Sequence, residues 1–358
     1  MTTTTGLPAA QHAWEDTFRS DPEGRPLPPR FHRLLMLDVT GRPDVSDAAF
    51  LEGALRTLED RYPYGPDGLL TCLAWGPGWF ERHTALRRSP VARPLPMARW
   101  ENPVLEDIDA CLHLASDHED LLAEVTDALF GDGPLDQRGR LRVRGTRTGF
   151  VGRGLPAQRL PGAGLPERAP LMLGFHSGLR GNQATEEAVT IASGPLAGGT
   201  TMHVSYLTLD VDSWYEQNAD RRSAQMFAPT IDARAAEDLV DDARSDADDL
   251  PALTAAHGVV GHAQATGRAR LNGLARINRR DFATLDGGSP GTHFVSLQRT
   301  MEDFNVTRAV MNAADATAHH PGVGARRHNG INAFIDVRSR ATFGVPPRSL
   351  RSYPHLAK

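Results

Sequence analysis

Residues 31–151 alternate apolar runs with helical stripes in an order that few architectures accommodate. FHRLLMLDV (31–39) has the apolar density of a buried strand. Behind it, Ser46 is placed to cap an amphipathic helix in which Phe50, Leu51, Ala54, Leu55 and Leu58 recur at helical spacing. GLLTCLAWG (68–76) and DACLHLASD (109–117) read as two further strands, separated by a loop rich in Pro and Arg. Asp117 is placed to cap the next helix, which carries Leu121, Leu122, Val125, Ala128 and Leu129 and stops at Gly131. LRVRGTRTGFV (141–151) then alternates as a half-buried strand does. The order β-α-β-β-α-β is that of one ferredoxin-like unit.

The same order recurs, with insertions, further along. Residues 152–170 are dense in Gly and Pro and read as an irregular connection. Beyond them TTMHVSYLTLDV (200–211) and GTHFVSLQ (291–298) read as strands, and MEDFNVTRAVMNAA (301–314) as an amphipathic helix. The expectation is an α+β chain of two ferredoxin-like domains, 31–151 and 171–358, each an antiparallel sheet with helices on one face. A length of 358 residues suits two domains. Residues 1–30, rich in Thr, Pro and Gly, read as a flexible segment in which Trp14 and Phe18 could pin a short helix. The acidic run 235–250 reads as a solvated helix or loop.

Composition narrows the function. A formal charge of −5 leaves no basic surplus for phosphates or acidic lipid, so neither nucleic acid nor a membrane is an expected partner. Cys72 and Cys111 lie in apolar runs without Cys-x-x-Cys spacing, which argues against zinc and iron–sulfur sites and for buried thiols. The first residues lack a charged region followed by an apolar one, and no stretch of 18 apolar residues occurs, so a soluble cytoplasmic protein is expected.

Three segments carry chemistry: LMLGFHSGLRGNQ (171–183), GHAQATGRARLNGLARINRRDF (261–282) and THFVSLQRTMEDF (292–304). In this order, and over roughly residues 31–340, they resemble the dye-decolourising (DyP-type) peroxidases of the dimeric α+β barrel superfamily. DACLHLASD and the β-α-β start are similar to the amino-terminal half of that family. The resemblance implies haem b, with His262 as the iron's protein ligand and His257 as its rival. It implies that Gly174, Phe175 and Gly178 belong to a loop over the open haem face. It also places Arg279, 17 residues after His262, over that face, with Arg280 as the alternative. A permanently charged guanidinium there can hold a developing negative charge or touch a propionate.

The chain departs from the family at one position. Where the family's Gly-Phe-x-Asp-Gly has aspartate, this chain has Ser177. A serine hydroxyl is no general base near neutral pH without a partner, whereas a carboxylate can take a proton from peroxide. His176 is a candidate acid–base group, although neighbouring side chains of an extended loop point to opposite sides. Asn182, Gln183, Glu186 and Glu187 either bring a polar group to the pocket edge or merely open a helix. Asp303, Asp315 and Asp336 are candidates to accept the second N–H of the proximal histidine. His203 and His319-His320 have no assigned role, and Trp75, Trp79, Trp100, Trp214 and Tyr215 read as packing residues.

The leading expectation is a haem-dependent oxidoreductase, peroxidase-like or oxygenase-like, acting with peroxide or dioxygen on a small organic substrate. Alternatives are a haem lyase or dehydratase similar to the aldoxime dehydratases, and a non-catalytic haem-binding protein. Self-association into a homo-oligomer is a family-level expectation.

Overall fold

The computed structural model of the protein describes residues 6–22, 24, 26–175, 183–227 and 249–357. The acidic run up to residue 248 and His176, Ser177, Gly178 and Asn182 lie outside the described residues.

The first unit runs β1 (Phe31–Val39), α1 (Val45–Arg61), β2 (Leu70–Trp75), α2 (Pro77–His83), β3 (Ala110–Ser116), α3 (Glu119–Phe130) and β4 (Leu141–Phe150). Two expected caps are corrected. Asp44 rather than Ser46 caps α1: its carboxylate accepts from the Ser46 and Asp47 N–H groups, and Asp47 accepts from the Asp44 N–H in return. A serine already inside the helix cannot make that reciprocal pair. Helix α3 has no side-chain cap, because Asp117 is drawn to the Arg30 N–H and the Arg19 guanidinium. In α1 the buried stripe is Leu51, Ala54, Leu55 and Leu58, while Phe50 faces outward.

The second unit repeats this plan: β5 (Thr200–Leu209), β6 (Ile277–Arg279), β8 (Gly291–Gln298), α8 (Met301–Val310) and β9 (Ile335–Val345). The crossover from β5 to β6 is expanded. It holds α4 (Val211–Glu216), α5 (Ala219–Phe227), α6 (Leu250–His257) and α7 (His262–Gly267). An additional strand, β7 (Phe282–Thr284), lies between β6 and β8.

These nine strands belong to one sheet in the order β7-β4-β1-β3-β2-β9-β5-β8-β6, to which the short strand Val104–Leu105, paired with β9, adds a tenth. Within each unit the strands follow the same spatial order: fourth, first, third, second. The sheet closes on itself because β7 pairs with β4 at Ala283↔Phe150 and with β8 from Phe282↔His293 to Thr284↔Gly291. A side chain at Gly149 would collide with the Ala283 carbonyl, so glycine permits that closure. On the opposite side β2 and β9 meet only at Gly344↔Trp75.

Strand alternation sorts the core into an inside and an outside. Leu34, Met36, Cys72, Cys111, Met202, Val204, Val295, Leu297 and Phe343 fill the space enclosed by the sheet. On the outer face of the first unit Leu35, Leu37, Leu73, Leu112 and Leu114 pack beneath Leu51, Leu55, Leu58, Leu122, Val125 and Leu129 of α1 and α3. Burial pushes both thiols up, Cys72 to about 11.

Residues 11–18, read from the sequence as part of a loose segment, are packed. Trp14 precedes a short 3-10 helix (Glu15–Thr17) and has no solvent exposure. The Gln11 amide donates to the carbonyls of Leu73 (3.0 Å) and Pro346 (2.8 Å) and accepts from the Leu73 N–H (2.9 Å). It thereby replaces the ladder that β2 and β9 lack. Among the described residues, no helix is long and apolar enough to cross a membrane.

Candidate functional site

A cavity lies between the outer face of the second unit's strands and that unit's helices. Ser205, Leu207 and Leu209 of β5 and Thr292 and Phe294 of β8 line it. Met202, Val204, Val295 and Leu297, of opposite parity, point into the barrel. The helical side supplies Met226, Phe227, Ala263, Thr266, Phe304, Thr307 and Arg308. The cavity volume is about 220 Å³.

His262 is the first residue of α7, behind an extended Gly261. Its placement is set by a second chain segment: the Val260 N–H donates to the His328 carbonyl (2.9 Å) and the Gly330 N–H to the Val260 carbonyl (2.8 Å). Gly330 has φ +53°, and a side chain there would sit 3.3 Å from the His262 Cα and Cβ. The His262 imidazole is half-buried and lines the cavity. Burial first, and the Arg279 and Arg308 charges next, push its pKa down to about 3. The ring is neutral at ordinary pH, the form that ligates a metal. His257, the rival ligand, lies exposed at the end of α6 and is not part of the cavity wall.

The run Asn278-Arg279-Arg280-Asp281 divides by parity. Arg279 and Asp281 line the cavity. Asn278 points away, donating to the Glu15 carboxylate (2.7 Å) and the Ala184 carbonyl (2.8 Å). Arg280 points the same way as Asn278: it donates to the His12 carbonyl and to Glu186, and lies over the Trp14 ring at 4.1 Å. Arg280 is therefore corrected from alternative site residue to anchor of the amino-terminal segment. Glu186 is spent on that anchor, and Glu187 is exposed.

Gln183 is bonded to a residue of the cavity wall. Its amide donates to the Arg279 carbonyl at 2.9 Å, and the Arg279 Nε donates back at 3.4 Å. Burial lowers the Arg279 pKa against the opposing pull of Asp281. Burial raises that of Asp281 against the pull of Arg279. The Asp281 Oδ1 is buried and has no hydrogen-bond partner among the described residues.

Of the loop before residue 176, Gly174 and Phe175 are described. Gly174 takes φ +88°, where a side chain would meet the Tyr215 hydroxyl at 3.1 Å. Phe175 lines the cavity and packs edge-on against Trp214 and Phe227. Trp214 and Tyr215 hold the loop's start by donating to the Leu173 and Met172 carbonyls (3.1 and 2.9 Å).

The carboxylates proposed to support the proximal histidine are committed elsewhere. Asp303 caps α8 and pairs with Arg276, Asp315 pairs with Arg268, and Asp336 pairs with Arg338 at the surface. His203 stacks on Phe304 at 3.6 Å, and the His320 Nδ1 accepts from the Gly322 N–H.

A model of a family of unknown function, DUF7405, matches residues 29–347. The chain belongs to DUF7405. None of the curated proteins compared by sequence matches it. Among solved structures, the dye-decolorizing protein from V. cholerae is 17% identical, with a TM-score of 0.64 over 91% of this chain and 97% of that one. A variant of DypB from Rhodococcus jostii, solved in complex with haem, is 16% identical, with a TM-score of 0.66 over 97% of this chain and 99% of that one. This DUF7405 protein thus has the fold of the DyP-type peroxidases as a divergent form.

Two features of this DUF7405 cavity had not been singled out from the sequence. One is Asp281, which stood in the run INRRDF but was passed over for the arginines before it. The other is Glu101, from the Pro- and Arg-rich loop of the first unit. Glu101 accepts from Arg308, from Arg340 (2.8 Å) and from the Met97 N–H (3.0 Å), and is almost fully buried. Burial pushes its pKa up, but Arg308 and Arg340 outweigh that and hold it below the ordinary value.

Proposed function

We propose that this cavity binds haem b, with His262 on the iron, and that the protein is a haem-dependent oxidoreductase using peroxide or dioxygen on a small organic substrate. The observation that carries this reading is that a neutral imidazole and a half-buried guanidinium, His262 and Arg279, line one largely apolar cavity. The donor set suits the group. Leu207, Leu209, Phe294 and Phe304 offer the flat apolar walls a porphyrin needs, and Arg270 and Arg276 offer cations for its propionates.

Bound haem would supply the electrons and the open coordination position. The chain's own residues do the rest. His262 orients the cofactor, while Phe175, Met226 and Phe227 keep water from the apolar wall. Arg279, steadied by Gln183, holds negative charge that develops on an oxygen substrate.

One observation favours a second, redox-neutral reading of the lyase or dehydratase kind. Among the described residues no carboxylate bonds His262, and the charges that act on it are the cations Arg279 and Arg308. An imidazole without an anionic partner is less basic and supports high-valent iron less well.

Titrating the purified protein with haemin tests both readings. A Soret band that saturates at one haem per chain is expected, and His262→Ala should lose it or shift it to a differently ligated spectrum. An unchanged spectrum in His262→Ala removes the ligand assignment. Reaction of the ferric protein with peroxide supports the oxidoreductase, whereas turnover of an aldoxime by the anaerobic ferrous protein alone supports the lyase.

A further inference from the structure

We propose that Asp281 is the acid–base residue of this site, the group that moves the proton when peroxide is cleaved; the assignment rests on the haem reading above. Breaking the O–O bond of hydrogen peroxide requires a proton to leave one oxygen and arrive at the other, a task for a positioned acid–base side chain. Among the described residues two carboxylates line the cavity, Glu101 and Asp281, and the histidine lining it is His262. His262 is assigned to the metal. Glu101 is tied to Arg308 and Arg340 and to the Met97 N–H, so both of its oxygens are engaged.

Asp281 is the carboxylate left over. Its Oδ1 is buried and lacks a hydrogen-bond partner among the described residues, a costly state that a native chain rarely keeps without use. It stands two residues from Arg279, and Arg280 between them is turned out of the cavity. A peroxide held by the Arg279 guanidinium therefore meets a carboxylate from the same stretch of backbone. Burial of that carboxylate raises its affinity for a proton, while Arg279 keeps it ionisable.

The step balances as follows. The Asp281 carboxylate takes the proton from one peroxide oxygen and delivers it to the other, which leaves as water when the O–O bond breaks. Peroxide is the oxidant and is reduced by two electrons, both drawn from bound haem, which would keep the remaining oxygen atom. Asp281 ends in the charge state in which it began.

Cyanide binding tests the assignment without turnover, because hydrogen cyanide must also lose a proton before it ligates ferric haem. In the haem-loaded protein at pH 7, Asp281→Asn should slow cyanide association at least tenfold at an unchanged Soret maximum, and Asp281→Glu should recover most of the rate. The reaction with peroxide should slow by roughly 10²-fold or more in the same Asp281→Asn variant. An unchanged cyanide rate in Asp281→Asn with normal haem uptake overturns the assignment alone, as does a loss confined to His176→Ala. Failure of the wild-type chain to take up haem overturns the haem reading and this assignment together. In the haem-free protein, the infrared carbonyl stretch of a buried carboxylic acid that grows in on acidification and is missing in Asp281→Asn would mark the same group independently of the cofactor.

Discussion

Arg279 and Asp281 share one cavity wall two residues apart, and each acts on the other's ionisation. Burial lowers the proton affinity of the guanidinium and raises that of the carboxyl, and in both cases the partner's charge opposes the shift. The pair comes from strand parity at the β6–β7 junction, where Asn278 and Arg280 are directed to the other side.

That parity separates the consequences of two adjacent substitutions. Arg279→Leu should keep the fold and the haem but lower the rate of reaction with peroxide by roughly 10²- to 10³-fold, the usual loss for one charge-stabilising donor. Arg280→Leu leaves Glu186 without its cation in a buried setting, where side-chain exposures are only 8% and 13%. Breaking such a pair costs about 3–5 kcal/mol. The melting temperature should drop while the Soret spectrum of the loaded protein stays as it was. Stopped-flow kinetics and calorimetry on the two variants decide this, and equal effects from both would remove the division by parity.

Glu101 offers a second structural prediction. Its carboxylate bonds two arginines of the other unit, Arg308 and Arg340, whose side chains are 9% and 2% exposed. Glu101→Ala would leave two buried guanidinium groups without an anion, so a loss of about 3–5 kcal/mol in unfolding free energy is expected. Chemical denaturation measures it. A loss below about 1 kcal/mol would show that water or a shifted side chain replaces the carboxylate.

How much of this was legible in the sequence depends on the range of the interactions involved. The β-α-β-β-α-β order could be read from residues 31–151 because apolar periodicity and turn residues act over a few positions. The caps were misread by one or two residues, since Asp44 competes locally with Ser46 and Asp117 is captured by Arg19, 98 residues away. His262 and Arg279 could be named because their segments keep a recognisable order. Glu101 could not, because its partners lie 207 and 239 residues further on. Asp281 was missed for another reason: nothing in the letters says which of four consecutive polar residues faces a cavity. The packing of Gln11 and Trp14 was hidden in a segment whose composition suggests disorder. One side chain, the Gln11 amide, supplies what composition withheld by filling a gap between two strands.

Gly330 connects backbone geometry to the site. It takes φ +53°, and a methyl group would press on the His262 backbone and Cβ at 3.3 Å. Gly330→Ala therefore adds left-handed strain, of order 1–3 kcal/mol, and pushes on the residue proposed to hold the iron. Haem affinity should fall by more than tenfold while the far-ultraviolet spectrum of the folded chain is retained. A haem dissociation rate equal to wild type would show that α7 absorbs the displacement.

The buried histidines set how the haem-free protein responds to acid. Burial pushes His12 down to about 4 and His32 to about 3, with the Arg280 charge acting in the same direction on both. His113, bonded to His32 at 3.0 Å, is driven well below its ordinary value. Once unfolded, all three bind protons near pH 6.5, so between pH 6.5 and about 4 the unfolded chain carries more protons than the native one. Stability is thus fully present above pH 6.5 and is lost as pH falls through this window, at up to ~1.4 kcal/mol per pH unit for each proton of difference. Calorimetric melting of the haem-free protein at pH 7.5 and pH 5 should show a marked fall in melting temperature. At pH 5, comparing unfolding enthalpies in buffers of different ionisation heat should show net proton uptake, to which these histidines contribute. Replacing His32 by Phe, which keeps the stack on Phe282 at 4.7 Å, should reduce that uptake by about one proton; an uptake unchanged in the variant would mean that His32 is not among the groups that drive acid unfolding.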